Sequence, residues 1–247
     1  MRRRKIKNAD KKLLSYDYYI VDGFLDTEII ENIDSKEKII VEDDRYNFIK
    51  NNLRGKWSEY FGNDNPIHIE VGTGKGQFIT TLAKNNPNIN YIGLEIKEEV
   101  LLRAVEKADR NNSKNIRFIW GNVEFLDLYF SDDELSRIYI NFCDPWPKKK
   151  HERRRLTYRD FLELYRKKLN DTGDINFKTD NRGLFEFSLN EFPANDWMIK
   201  NVSLDLKNSE FEGNVTTEYE DKFMSMDMPI YRLEAIDIRN KFSINTY

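Results

Sequence analysis

Short apolar runs and amphipathic stretches alternate along most of this chain, and their spacing sets out the fold. Ile67-His68-Ile69-Glu70-Val71 reads as a strand, followed by a glycine-rich turn and a helical pattern from Gln77 to about Asn85. Asn90 to Glu95 predicts a second strand. A helix follows with Val100, Leu101, Ala104, Val105 and Ala108 on one stripe. Further strands are predicted at Asn115–Trp120, Arg137–Phe142, Asp174–Lys178 and around Val202–Leu206, with helices at Tyr158–Lys168 and Gly183–Phe192. Strands and helices alternating at these lengths specify an α/β fold, a parallel sheet covered on both faces. Residues 15–50 fit the pattern poorly. Tyr16 to Gly23 is aromatic and acidic, and Asp26 to Asp44 is acidic with scattered isoleucines. Short strands or a helix at the sheet edge are expected there. Residues 1–50 are therefore read as a peripheral arm and 51–247 as the main domain.

Composition changes this picture mainly through charge. The 247 residues are 39% hydrophobic and 34% charged, enough apolar content for one sizeable core. No apolar run approaches a membrane span, and the basic start lacks the apolar stretch of a secretory signal. One cysteine, Cys143, fits a reducing cytoplasm and a packed apolar role. Two histidines are too few for a metal site without other clustered ligands, and none is expected. The net charge of −3 hides a strong asymmetry. Residues 2–7 hold 5 cations, residues 148–155 hold 6 cations and 1 acid, and the remainder carries 29 cations against 42 acids. A polyanion would be held along the basic stripes and repelled elsewhere.

The candidate chemistry gathers at strand ends. Glu70-x-Gly72-x-Gly74-x-Gly76 joins strand to helix, which lets a backbone approach a nucleotide-like ligand closely. A dinucleotide fingerprint would place its third glycine one residue later, where Gln77 stands, and the carboxylate of Glu70 would repel a pyrophosphate. S-adenosylmethionine is a cation without phosphate and suits that acid. Glu95, ending the second strand, is placed to accept two ribose hydroxyls, and Asn122 in the turn after the third strand to meet adenine. After the fourth strand comes Asp144-Pro145-Trp146-Pro147, where the prolines are expected to hold Asp144 and Trp146 extended. Trp146 would either support a base or wedge the loop. A carboxylate, an indole and then a basic run suit work on a nucleic-acid base.

Ile67–Gly76, Tyr91-Ile92-Gly93-Leu94-Glu95, Asn141–Lys149, Phe177-Lys178-Thr179-Asp180-Asn181 and Thr217-Glu218-Tyr219-Glu220 resemble the bacterial tRNA (guanine-N7)-methyltransferase family, TrmB, over about residues 54–234. That resemblance implies a class I S-adenosylmethionine-dependent methyltransferase fold, Rossmann-like, with a mostly parallel seven-stranded sheet. It implies a cytoplasmic enzyme, monomer or homodimer, that methylates N7 of the variable-loop guanosine, position 46, of tRNA. By the resemblance, Glu70, Gly72, Gly74, Gly76, Glu95, Asn122 and Asp144 serve the donor, Asp144 also being catalytic. Lys148, Asp180, Thr217, Glu218, Tyr219 and Glu220 serve the substrate, and Lys149, Lys150, His151, Glu152, Arg153, Arg154 and Arg155 the RNA. Asn122 departs from the aspartate that many members carry, and residues 15–50 lie outside the resemblance. Asp144, Asp180 and Glu220 are candidates to stabilise positive charge on the purine; for Asp180 the alternative is capping the next helix. An exocyclic-amine methyltransferase, whose Asp/Asn-Pro-Pro-aromatic motif is similar, and a non-catalytic RNA-binding module are the rival readings.

Overall fold

The computed structural model describes residues 6–23 and 44–239. Arg2 to Lys5 and most of the acidic stretch from Asp26 lie outside the described residues. In chain order the elements are α1 (Ala9–Leu14), β1 (Ile20–Asp22), α2 (Asp44–Leu53), α3 (Trp57–Phe61), β2 (Ile67–Val71) and α4 (Gln77–Asn85). Then come β3 (Asn90–Glu95), α5 (Glu98–Arg110), β4 (Ile116–Trp120), α6 (Leu126–Tyr129), β5 (Leu135–Asn141) and α7 (Arg159–Lys168). The chain continues through β6 (Leu169–Thr179), α8 (Arg182–Ala194), β7 (Trp197–Ser203), α9 (Glu218–Ser225) and β8 (Tyr231–Asp237).

The strands form one sheet in the order β1-β4-β3-β2-β5-β6-β8-β7. Successive strands β2, β3 and β4 run outward one way and β5 and β6 the other, so the order reverses between β2 and β5. At such a switch point the connections diverge and leave a crevice at the carboxyl ends of the strands. All pairings are parallel except those of β8 with β6 and with β7.

All five residues of β2 are buried, as expected for a strand covered on both faces. One face packs Ile49, Leu53, Trp57, Leu126, Phe161, Leu162 and Phe185. The other packs Leu13, Phe78, Ile79, Leu101, Val105 and Phe118. His68 is a packed strand residue, as its alternation predicts. Burial pushes its pKa down to about 3, and its ring packs edge-on to Tyr91 and Tyr139.

The sheet has eight strands where seven are expected. The additional one is β1, which pairs with β4 through Ile20↔Phe118. It is held from both sides. Tyr129 Oη donates to the Gly23 carbonyl at 2.9 Å, and the Arg117 guanidinium lies 4.0 Å from the Tyr18 ring centroid. The strand expected near Val202–Leu206 begins earlier, at Trp197, whose buried indole packs against Phe192. Leu206 instead lies in a separate 3-10 turn.

Candidate active site

At the switch point lies a cavity of about 640 Å³, lined by the ends of β2, β3 and β5, the turn after β4 and the start of α9. Gly72 and Gly74 adopt positive φ of 76° and 59°, and a Cβ on either would meet no atom closer than 4.0 Å. The turn therefore opens its backbone toward the cavity. Gly76 is different. A Cβ there would lie 2.6 Å from Ala104 Cβ, and the residue does not line the cavity. The absence of a side chain there lets α4 pack on α5.

Glu70 is buried on the cavity floor. Thr73 Oγ1 donates to its Oε2 at 2.7 Å and Asn141 Nδ2 to its Oε1 at 2.9 Å. Burial pushes its carboxyl up to about 7, against the lowering effects of those two hydrogen bonds and of Lys178. Half-buried Glu95 accepts from the Ile96 and Lys97 N–H groups at 3.0 Å and from the Gly74 N–H at 3.2 Å. It thus ties the glycine turn to the start of α5. Asn122 lines the cavity, while its side chain accepts from the Glu124 N–H and donates to the Glu124 carboxylate. The cavity wall carries five carboxylates (Glu70, Glu95, Glu124, Asp144, Glu218) against three cations (Lys75, Lys97, Arg154). A cationic ligand is favoured over an anionic one.

The Asp144–Pro147 loop rims the cavity with Asp144 exposed. Trp146 is not extended; its φ is +40°. The Arg155 guanidinium accounts for the difference. Its Nε donates to the carbonyls of Pro145 and Trp146 at 3.2 and 3.3 Å, and its Nη2 donates to Trp146 at 3.1 Å. Turning both carbonyls toward one cation overrides the extended preference before Pro147. Arg155 also lies 4.4 Å from the Phe187 ring centroid, so it clasps this loop. Arg154 sits 4.9 Å over the Trp146 indole, while Lys148, Lys149, Lys150 and Arg153 are exposed beside the cavity without lining it. His151 packs against Trp146, and Glu152 is half-buried next to it.

Cys143 is half-buried against the core, and its thiol is pushed up to about 12 by burial, with Asp144 and Asp180 adding to the shift. That shared influence brings both acids to one locality. Asp180 follows β6 directly and is half-buried. Capping of α8 falls instead to Asn181, whose Oδ1 accepts from the Leu184 N–H at 2.8 Å.

Glu220 is held inside the fold. It is fully buried; Lys178 Nζ donates to its Oε2 at 2.6 Å and Asn214 Nδ2 to its Oε1 at 2.6 Å. Thr217 Oγ1 accepts from the Glu220 N–H and caps α9. Lys107–Glu218 at 3.0 Å and Gln77–Asp221 at 2.6 Å dock the same helix on α5 and α4. Thr217, Glu218 and Tyr219 line the cavity, and Tyr219 is exposed. Sequence reasoning assigned no role to Lys178 or Asn141. A lysine and an asparagine in otherwise apolar strand ends were the available signal.

The family described as "Putative methyltransferase" matches residues 64–233, a span that takes in every strand of this cavity. A Clostridioides difficile (strain 630) tRNA (guanine-N(7)-)-methyltransferase is 58% identical over 95% of this chain and 98% of that relative. The chain belongs to the tRNA (guanine-N7)-methyltransferase family. Another member, from Bacillus subtilis (strain 168), is 53% identical over 74% of this chain and 85% of its own length. Among solved structures, an antibiotic-related methyltransferase aligns with TM-score 0.55 and 20% identity over 73% of this chain and 90% of that one. The 16S rRNA methyltransferase KamB aligns with TM-score 0.53 and 13% identity over 79% and 94%. At those identities the family shares their fold, the class I methyltransferase architecture that the sequence resemblance implies. Among the described residues no helix is long and apolar enough to cross a membrane, and no group of three His, Cys, Asp or Glu side chains could hold a metal ion.

Proposed function

We propose that this chain transfers the methyl group of S-adenosylmethionine to N7 of the variable-loop guanosine, position 46, of tRNA. The observation that carries the reading is the acid-lined cavity at the switch point, with Asp144 exposed on its rim and the basic run beside it. The residues present fit a cationic, phosphate-free donor. Glu70 would hold its ammonium, Glu95 its ribose hydroxyls and the turn at Asn122 its adenine, over the open backbone of Gly72 and Gly74.

When bound, that donor supplies an electrophilic methyl whose departure leaves a neutral thioether and a cationic purine. Guanine N7 has a free lone pair and no proton to lose, so the chain's task is placement, exclusion of water and stabilisation of charge. Asp144 on the cavity rim and Asp180, which does not line the cavity but acts on Cys143 as Asp144 does, carry that charge role; neither has a hydrogen-bond or ion-pair partner among the described residues. Carboxylates also accept from the N1–H and 2-amino group of guanine, which adenine cannot offer in that arrangement. Drawing the nucleoside from its stack costs roughly a few kcal/mol. Phosphate contacts by Lys149, Lys150 and Arg153 offset it.

Incubating the full chain with methyl-labelled donor and bulk tRNA, followed by nucleoside analysis, tests the reading. Label in N7-methylguanosine is expected. Label in an exocyclic-amine-methylated nucleoside would transfer the site to the rival chemistry, and absence of label would defeat the assignment.

A further inference from the structure

Asp144 stands midway between two residues with left-handed backbones, Phe142 with φ of 51° and Trp146 with φ of 40°. Bulky side chains are found in that region where their surroundings impose it. At Trp146 the imposing group is the Arg155 guanidinium. Phe142 has a different anchor. Its N–H extends the β5–β6 ladder by donating to the Lys178 carbonyl at 2.9 Å, and its ring stacks on Phe223 of α9. The two ring centroids lie 6.4 Å apart with planes 17° from parallel, within the range of an offset stack.

That stack joins two walls of one cavity. Phe142 and Asp144 line it from the end of β5, and Thr217, Glu218 and Tyr219 line it from the start of α9. Phe223 follows Tyr219 by four residues, so the two rings share one face of the helix. Lys178 Nζ grips the first turn of α9 through Glu220 and the approach to it through the Val215 carbonyl. Lys107–Glu218 and Gln77–Asp221 tie the same helix to α5 and α4. The Phe142–Phe223 contact adds a direct tie to the residues after β5, one turn beyond Tyr219.

We propose that Phe142 is a positioning residue, whose ring, stacked on Phe223, sets the spacing between Asp144 and Tyr219 where the base enters. This rests on the reading of the reaction as methyl transfer to guanine. A base held between a carboxylate on one wall and α9 on the other meets the methyl in line only while those walls keep their separation. A misplacement of about 1 Å can cost about 10²-fold in rate. The left-handed turn serves the same end. It lets the ring reach α9 while Cys143 returns to the core and Asp144 emerges on the rim.

Single-turnover methyl transfer by the full chain, at saturating S-adenosylmethionine and tRNA, tests this beside calorimetry with S-adenosylhomocysteine, the demethylated donor. Phe223→Ala should lower the rate by about tenfold and leave S-adenosylhomocysteine affinity within about twofold. Phe223→Tyr keeps the stacked ring and should stay within about twofold of the wild-type rate. Phe142→Gly removes the ring and accepts the positive φ. It should match Phe223→Ala, and the double variant should lose no more than either single one. Losses that multiply in the double variant would overturn the coupling, as would a normal rate in Phe223→Ala. A fall in S-adenosylhomocysteine affinity equal to the fall in rate would make Phe142 a wall of the donor site and overturn the assignment. The two Phe223 variants decide the matter even if Phe142→Gly fails to fold. A wild-type chain that leaves guanine N7 unmethylated defeats the proposed reaction and this role with it, whereas an active wild type with indifferent variants defeats only the positioning role.

Discussion

Lys178 Nζ lies 2.6 Å from Glu220 Oε2, joining the strand that leads to Asp180 with the helix that presents Tyr219. Both partners are buried, and burial pulls the lysine below its ordinary value while Glu220 opposes the shift. A buried pair of this kind is weak evidence for stability, but losing one partner strands the other.

Lys178→Met is accordingly expected to destabilise the fold by about 3–5 kcal/mol, and the double variant Lys178→Met with Glu220→Leu by clearly less. Urea midpoints at a common slope measure both. A double variant as unstable as the single one would mean that the pair matters through Asn214 and Val215 and not through its charges.

Glu70 makes stability depend on pH. Its carboxyl sits at about 7 in the fold against an ordinary 4.5, raised chiefly by burial. Between those values the folded chain holds a proton that the unfolded chain has lost, so stability falls as pH rises from 4.5 to 7 and levels off above. The difference amounts to about 3 kcal/mol, to be read as the difference between wild type and Glu70→Gln across that window. A cationic ligand reverses the preference. Binding of S-adenosylhomocysteine near pH 6 should release a proton, seen as a dependence of the observed enthalpy on buffer ionisation heat.

Glu95→Ala removes an acceptor that also ties Gly74 to the start of α5. Donor affinity should drop by roughly 10–100-fold, the scale for a lost charge-assisted hydrogen bond, with tRNA affinity little changed. Calorimetry with S-adenosylhomocysteine and a filter-binding titration with tRNA separate the two; unchanged donor affinity would remove Glu95 from the ribose site.

Asp144→Asn and Asp180→Asn keep shape and one acceptor while removing charge. If these acids stabilise the cationic purine, each should lower kcat by ~10²-fold with ground-state binding largely intact. Single-turnover kinetics at saturating tRNA and donor test this. A kcat within about twofold of wild type for both variants is too small an effect for the mechanism, and a raised KM alone would leave them holding guanine's edge.

The basic run divides by role. Neutralising Lys149, Lys150 and Arg153 should weaken tRNA binding and flatten the slope of log affinity against log salt. Arg155→Lys keeps the charge but loses the fork that grips Pro145 and Trp146. Its salt slope should match wild type while its kcat falls. A changed slope with normal kcat would return Arg155 to the RNA face.

Glu70, Gly72, Gly74, Glu95 and Asn122 were legible because strand, turn and helix periodicity fixes where strand ends fall, and ligands in such sheets sit there. Tyr231–Asp237 was not read as a strand. Its burial does not alternate, since Arg232 is buried and paired with Glu234 while the strand runs antiparallel between β6 and β7. The positive φ of Trp146 was hidden because its cause, Arg155, acts across nine positions, where local proline rules do not reach. The burial of Glu220 was hidden for a similar reason: its partner Lys178 stands 42 positions away. Asn141 lay within a recognisable motif, but its hydrogen bond to Glu70, 71 positions away, is a property of three dimensions.

The pairing of Ile20 with Phe118 sets an order of events for a nascent chain. Ile20 is synthesised before the other described strands, yet its only neighbour in the sheet among the described residues is about 100 residues downstream, which at ~5–20 residues per second means a wait of roughly 5–20 s. Throughout that interval Leu13, Tyr19 and Ile20, all buried in the finished protein, lack the strand β4 on which β1 docks. Of the described strands, the earliest made is an edge strand of the sheet, and its apolar side chains must be sheltered until β4 has emerged.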